Sequence, residues 1–333
     1  RVVRFLQNAW GFPVDLWPLD LGAERYLRDG TTLPDELKRE IRESCAGVLL
    51  GAFGDARVPD FVHAREILLG MRTGFDLYAN VRPVRALSDR LVPLRGRTAA
   101  DVRFVVFREN TEGLYTGIGG QLRRGSPDEI AIEQDINTRK GVERILRAAF
   151  DAARVAERPR LHMADKSNAL RHGHELWLRV FNELRDEYPH VVASHVYIDA
   201  LCLGLVQDPG QYSVIVTNNL FGDIVTDLGA ALQGGLGVSA SMCVNPDDPA
   251  RVKLFEPVHG SAPDIAGKGI ANPMAALLCV SLLASELGFA QVGVELEAAV
   301  AAAVDANQCT PDLGGQLGTS AVTDAVLARL SRR

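Results

Sequence analysis

A two-lobed α/β fold is what this chain predicts, from three observations. Apolar, β-rich runs alternate with helical runs along most of the sequence. Its 333 residues, 47% of them hydrophobic, hold more core than a single lobe uses. The full glycine fingerprint of a standard dinucleotide-binding strand and helix is absent, since Gly117-Ile118-Gly119-Gly120 and Gly234-Gly235-Leu236-Gly237 are only fragments of it.

In chain order, residues 1–54 read as a helix, an extended run near Val14 to Leu19, a helix from Leu33 to Glu43 and a buried strand, Gly47-Val48-Leu49-Leu50-Gly51. The start reads as mid-helix and lacks a Met, so a natural N-terminus further upstream is expected. A helical run ends at Arg72. Strand Val102 to Phe107, helix Gly141 to Ala156, strand Arg160 to Ala164, helix Glu175 to Glu187, and strands Val191 to Tyr197 and Tyr212 to Thr217 continue the alternation. Between them, residues 117–138 are rich in glycine and charge with two short β-like stretches, and read as a protruding arm. Ala-rich helices, Met274 to Leu287 and Val294 to Ala303, would cover a sheet near the end. Lobe boundaries are placed near residues 77 and 235.

Charged residues make up 23% of the chain and the net charge is −6, with no basic stripe interleaved with aromatics. That excludes an ordinary nucleic-acid partner but not an acidic substrate, which local arginines would hold. Five scattered cysteines, Cys45, Cys202, Cys243, Cys279 and Cys309, form no C-x-x-C pair, which suits reduced thiols and a cytoplasmic location. No apolar run reaches the roughly 20 residues of a membrane span, so no membrane partner is expected.

The densest chemistry is in Asn218-Asn219-Leu220-Phe221-Gly222-Asp223-Ile224-Val225-Thr226-Asp227, directly after the strand that ends at Thr217. Two carboxylates four apart share one helix face, and α/β proteins build sites at the carboxyl ends of strands. Hard oxygen ligands there suit Mg²⁺ or Mn²⁺. A solvated acidic face is the plainer reading, but Leu228-Gly229-Ala230 continues the helix as a packed one, and Gly222 suits a tight backbone approach. Asp199, after Val196-Tyr197-Ile198, is a third candidate carboxylate.

Arg72 in its helical run, Arg82 fixed by Pro83, and Arg108 at the end of an apolar strand offer three guanidinium forks for a di- or tricarboxylate. Lys166, in Asp165-Lys166-Ser167-Asn168, again follows a strand. Beside a bound cation its ammonium is disfavoured, which makes such a lysine a general base at neutral pH. Tyr115 offers a phenolic proton. His172-Gly173-His174 lacks the spacing of a zinc pair on a helix, and both histidines read as ordinary. The long, small and polar stretch from Glu256 to Pro273 lets backbone N–H groups approach a phosphate or ribose, and Asp264 would accept from a ribose and repel a 2′-phosphate.

Together YANVRP, FRENTEGLY, DKSN, YIDAL, NNLFGDIVTDL, EPVHGSAPDIAGKGIANP and TPDLGG resemble the β-decarboxylating dehydrogenases, which act on isopropylmalate, isocitrate, homoisocitrate, tartrate or D-malate. The resemblance runs from about Gly47 to the C-terminus. It implies a large twisted mixed sheet flanked by helices. Residues 1–77 with 235–333 would form a discontinuous cofactor-binding lobe, and 78–234 a smaller lobe for dimerisation, metal and substrate. It also implies a homodimer whose sites lie between lobes, each completed by the Lys166 and Asp199 positions of the other subunit. By this carry-over Asp199, Asp223 and Asp227 hold Mg²⁺ or Mn²⁺, and Arg72, Arg82, Arg108 and Asp199 bind the substrate. Tyr115, Lys166 and Asp199 are the catalytic positions. His259, Gly260, Ser261, Ala262, Pro263, Asp264, Ile265 and Asn272 match the adenosine-binding residues, with Asp264-Ile265 like the NAD form.

Isopropylmalate enzymes place two leucines where Leu68 and Leu69 stand, so an isopropyl group on C3 of the malate core is favoured, and with it leucine synthesis. Two departures run the other way: Arg65 replaces a usual glutamate, and Tyr115 to Arg139 with Asn245-Pro246 are nearer the tartrate and D-malate branch. The chain also lacks the glycine-rich strand and turn with which relatives begin, which fits a truncated start. The rival readings are D-malate, tartrate, homoisocitrate or isocitrate as substrate, and a non-catalytic regulatory subunit. Leaving the resemblance aside, a phosphoryl-transfer enzyme is a further rival, though it would lack its G-x-x-x-x-G-K-[ST] loop.

Overall fold

The computed structural model describes residues 1–330. Its strands are β1 (Gly47–Leu49), β2 (Ala79–Arg85), β3 (Arg103–Glu109), β4 (Gly119–Leu122), β5 (Ile130–Glu133), β6 (Arg160–Asp165), β7 (Val192–Tyr197), β8 (Val214–Thr217), β9 (Ala240–Val244) and β10 (Lys253–Pro257). The chain divides into two compact units. One comprises Arg1–Leu77, Arg85–Val102 and Ala230–Arg333, the other Tyr78–Val84 and Arg103–Gly229.

This division differs from the expected one in two places. Residues 85–102 return to the first unit, and the last crossover lies at Gly229 rather than near 235. Hydrogen bonds hold the returning segment: Arg85 N–H donates to Gln233 Oε1 at 2.7 Å, and Arg90 reaches the Val304 and Leu313 carbonyls, each at 2.9 Å. Leu91 carries the segment into the core with Val238, Leu278 and Val304, and Ala86 and Val102 near its two ends are buried as well. Three buried residues spaced five and eleven apart leave no periodic signal to read. Strands β2, β9 and β10 also went unread, because Pro83 and Pro257 argue against a strand and the β9 run is short.

In the first unit β1 runs parallel to β10, and β10 antiparallel to β9. Helices Met274–Glu286, Ala290–Asp305 and Thr319–Leu330 pack their apolar residues with helix Val2–Trp10 into one core. Ile67 and Met71 of helix Val62–Gly74, with Phe75 just after it, join Ile41, Leu77 and Leu254 in another. The Val14 to Leu19 run adopts no regular structure.

In the second unit the strand order is β2-β3-β8-β6-β7. Arg108 pairs with Thr217, Thr217 with Ala164, and Ala164 with Val196, all in parallel. This register brings four carboxyl ends to one edge, so Arg108 near the end of β3 and the residues from Asn218, Lys166 and Ile198 onward line up there. Hairpin β4–β5 lies within the expected arm, exposed at every position, and Gly119 passes so close to Ile132 that a Cβ would meet its carbonyl oxygen at 2.1 Å. Parallel and antiparallel pairings both occur and helices flank the strands, a mixed α/β architecture as the sequence predicts.

Candidate active site

The helix Asn219–Gln233 starts where β8 ends, and Asn218 Oδ1 begins it by accepting the Phe221 N–H at 2.8 Å. Asp223 then receives three donors. Arg108 Nη1 reaches its Oδ1 at 2.5 Å, Arg82 Nη1 the same oxygen at 3.3 Å, and the Tyr115 hydroxyl its Oδ2 at 2.9 Å. Both guanidinium groups are buried and held from behind. Asn219 Oδ1 accepts from Arg108 Nε at 3.0 Å, Asn80 Oδ1 from Arg82 Nε at 2.7 Å, and Thr226 Oγ1 from Arg82 Nη1 at 2.6 Å. Arg108 also lies over the Tyr115 ring, 5.3 Å from its centroid.

Gly222 has a purpose other than the expected backbone approach. A Cβ there would stand 2.5 Å from Arg108 Cγ and 2.6 Å from Arg108 Cβ, so the glycine makes room for an arginine side chain. Burial, followed by the Asp223 charge, raises the Tyr115 phenol above its ordinary value. Partial burial and that same charge raise the Asp227 carboxyl, with Arg82 and Arg108 opposing. Two oxygen-donor side chains whose negative charges work against each other fit a hard divalent cation, which would relieve both.

Asp199 does not join that pair within this chain. Among the described residues no three His, Cys, Asp or Glu side chains converge as a metal-binding group. Asp199 is the second residue of helix Ile198–Gln207, and its Oδ1 lies 2.5 Å from Lys166 Nζ. Hydrogen bonding to Lys166 comes first among the causes that hold its carboxyl below the usual range. The loop bearing Lys166 is gripped from both sides. Buried Asp165 accepts from Ser167 N–H at 2.9 Å and contacts His195 Nε2 at 2.8 Å, while Lys166 N–H donates to His174 Nδ1 at 2.8 Å. His174 is thus a buried residue hydrogen-bonded into this loop, whereas His172 has no such place.

The remaining candidates are in the first unit. Arg72 is buried and donates to Glu256 Oε1 at 2.6 Å, so it is already oriented by a carboxylate at the end of β10. Leu68 and Leu69 are half-buried one turn earlier, on the same helix face as Arg72. After β10 the chain leaves through His259 to a left-handed Ala262 (φ 42°), which enters the single turn Pro263–Ile265. Gly260, Ser261, Ala262, Pro263 and Asp264 are exposed, and Ile265 is half-buried. An added Cβ at Gly260, Gly267 or Gly269 would meet nothing within 4 Å. Asn272 bonds Asp312 Oδ2 at 2.9 Å, and so ties the loop to the TPDLGG segment. Small, open main chain beside an exposed carboxylate fits an adenosine-sized ligand.

Sequence reasoning missed the residues that hold these arginines: Asn80 and Thr226 for Arg82, Asn219 for Arg108 and Glu256 for Arg72. Only Asn219 carried a visible signal, as a short polar residue at a strand's carboxyl end.

A model of the isocitrate/isopropylmalate dehydrogenase family matches residues 2–326. The 3-isopropylmalate dehydrogenase of Thermobifida fusca is 44% identical over 337 residues, covering all of this chain and 93% of that protein. The 3-isopropylmalate dehydrogenase of Streptomyces coelicolor is 44% identical over 319 residues, 94% of this chain and 88% of that one. Among solved structures, isocitrate dehydrogenase from Methylococcus capsulatus aligns with a TM-score of 0.87 and 34% identity, covering 99% of this chain and 95% of that one. This chain belongs to the isocitrate/isopropylmalate dehydrogenase family.

Proposed function

We propose that this dehydrogenase carries out the NAD- and divalent-metal-dependent oxidative decarboxylation of (2R,3S)-3-isopropylmalate to 4-methyl-2-oxopentanoate, in leucine synthesis. The observation that carries the chemistry is the convergence of Arg82, Arg108 and Tyr115 on Asp223, with Asp227 one turn further on. Two arginines against two aspartates leave a balanced site, and a divalent cation arriving with a dicarboxylate keeps it balanced. When bound, NAD supplies the hydride acceptor and Mg²⁺ or Mn²⁺ supplies Lewis-acid polarisation at the C1 and C2 oxygens.

The chain's own residues do the rest. Arg72, Arg82 and Arg108 hold the carboxylates, Lys166 takes the C2 hydroxyl proton, and after CO₂ departs Tyr115 returns a proton to C3. Leu68 and Leu69 pack the isopropyl group, and the loop from His259 to Ile265 with Asn272 holds the adenosine. A second copy supplies Lys166 and Asp199 to the Asp223–Asp227 pair. Support for that copy comes from exposed Leu203 (59%) and Val206 (47%) on the Asp199 helix and Ile224 (52%) beside Asp223, apolar surface that a partner would cover.

Curated relatives named for isopropylmalate support that substrate. Exposed Arg65, seven residues before Arg72 on the same helix face, favours a second reading with an acidic C3 arm. Initial rates of NADH formation with Mn²⁺ across isopropylmalate, D-malate, tartrate, homoisocitrate and isocitrate decide between them. Isopropylmalate is expected to give the highest kcat/KM, and the lowest rank for it would sink the proposal. NADP binding as tight as NAD would remove the role given to Asp264.

A further inference from the structure

Neither the DKSN motif nor the proposed chemistry assigns a role to His174. After Asp165 the chain folds back on itself: Ala169 and Leu170 N–H groups both donate to the Lys166 carbonyl, and His174 N–H donates to the Leu170 carbonyl at 3.1 Å. His174 is fully buried. Because its Nδ1 accepts the Lys166 backbone N–H, the imidazole carries its proton on Nε2. The Nε2 proton faces the Asp135 carboxylate, 3.6 Å away; Asn218 Nδ2, itself a donor because Asn218 Oδ1 takes the Phe221 N–H, lies 3.1 Å from Nε2 as a packing neighbour. The ring edge packs on Phe221, with centroids 5.4 Å apart. Asp135 is itself fixed by Asn137 Nδ2 at 2.9 Å.

One imidazole thus links the Lys166 peptide to Asp135 at the base of the β4–β5 arm, and packs beside Asn218, which starts the Asp223–Asp227 helix. We propose that His174, as the neutral Nε2-protonated tautomer, is a positioning residue for the dehydrogenase reaction that fixes the direction in which Lys166 projects. The proposal rests on the reading of Lys166 as the base. A carboxylate behind an imidazole is a familiar way to fix tautomer and ring orientation together, and here the imidazole acts on a peptide N–H instead of a metal.

Three variants of the full-length protein separate positioning from simple packing. His174→Phe keeps the ring and loses both nitrogens, His174→Asn sets an amide oxygen near the Nδ1 position, and His174→Gln reaches only toward Nε2. The Phe and Gln variants are expected to lose about 10- to 100-fold in kcat and to shift the acid limb of its pH profile. The Asn variant should recover most of both, and KM for NAD should stay within about twofold throughout. Equal kcat in the Asn and Gln variants, or a Phe variant within about twofold of the parent, overturns the proposal. Should the variants fold too poorly to assay, ¹⁵N NMR of the unsubstituted protein's histidines decides. A proton on His174 Nε2 is expected, and one on Nδ1 overturns the proposal. Lys166→Met is run alongside. Turnover that survives in it defeats the base reading, whereas turnover lost there but kept in His174→Phe and His174→Gln defeats this proposal alone.

Discussion

The helix bearing Asp223 and Asp227 and the loop from His259 to Asn272 are both suited to a bound group, yet they are built in opposite ways. Around Asp223 the side chains are already tied together: two buried guanidinium groups and a phenol reach one carboxylate, and Asn219, Asn80 and Thr226 hold the guanidinium groups from behind. The loop, by contrast, shapes itself with short turns such as Ile265 N–H to the Ala262 carbonyl, and leaves open space over three of its glycines. The difference follows from what each would do under the proposed function. Reacting atoms need placement to a fraction of an ångström, so side chains are fixed before anything binds, whereas a ribose or phosphate is recognised through main chain that must stay uncovered.

The same substitution, glycine to alanine, breaks the first region and only dents the second. In Gly222→Ala the new methyl would overlap Arg108 at Cβ and Cγ, close to the β3 backbone, where the side chain has little freedom to yield. Arg108 must move off Asp223. The expected loss is on the order of 100-fold in kcat/KM for the hydroxy acid, with about 1–3 kcal/mol of stability lost to overpacking. Steady-state kinetics and urea denaturation check both. A variant with parental kcat/KM would mean that the clamp is not preset, and the contrast between the regions would collapse.

A smaller effect probes how dry the strand leading to Lys166 is. Burial, and then the nearby Arg160 charge, push the His162 imidazole on β6 down to about 4 from 6.5. Between those values the unfolded chain binds a proton that the folded chain refuses, so stability rises with pH. The His162 contribution is therefore complete above about pH 6.5 and is lost as pH falls toward 4, on the order of 2 kcal/mol once partial solvent access is allowed for. Urea midpoints at pH 7.5 and 4.5 for the parent and His162→Gln isolate it from the carboxylates. Identical pH slopes in the two proteins would show that the strand is wetter than its packing implies.

How much of this was legible in the sequence follows the same divide. Asp223, Asp227, Arg108 and Lys166 could be read because each directly follows or ends an apolar strand, or keeps helical spacing with a partner, and Arg82 because Pro83 fixes it, so local pattern carries the information. The holding residues could not be read in this way. Thr226 lies 144 positions from the arginine it steadies, and Glu256 lies 184 from Arg72. His174 misled because its spacing was tested for metal binding, while its use is to accept a peptide N–H eight residues back. Gly222 was flagged for the right property and the wrong neighbour, since the loss of a Cβ is visible in sequence and the atom that fills the space is not. The return of residues 85–102 to the first unit was invisible for a similar reason, being held by single hydrogen bonds and a few irregularly spaced buried residues rather than by a periodic face.

The mildest test is Gly260→Ala. Gly260 lies outside the left-handed backbone region and has nothing within 4 Å of an added Cβ, so alanine fits the free protein without strain. Stability is expected to change by no more than about 0.5 kcal/mol, in contrast with Gly222→Ala. The methyl would nonetheless stand on main chain that the adenosine must approach, so KM for NAD should rise about 3- to 10-fold while kcat at saturating NAD stays near the parental value. That split, intact kcat with weakened cofactor affinity, belongs to a surface shaped by its ligand. A fall in kcat without a change in KM would place Gly260 with the preset machinery instead, and an unchanged enzyme would mean that the cofactor approaches the loop elsewhere, with Gly267 and Gly269 the next positions to substitute.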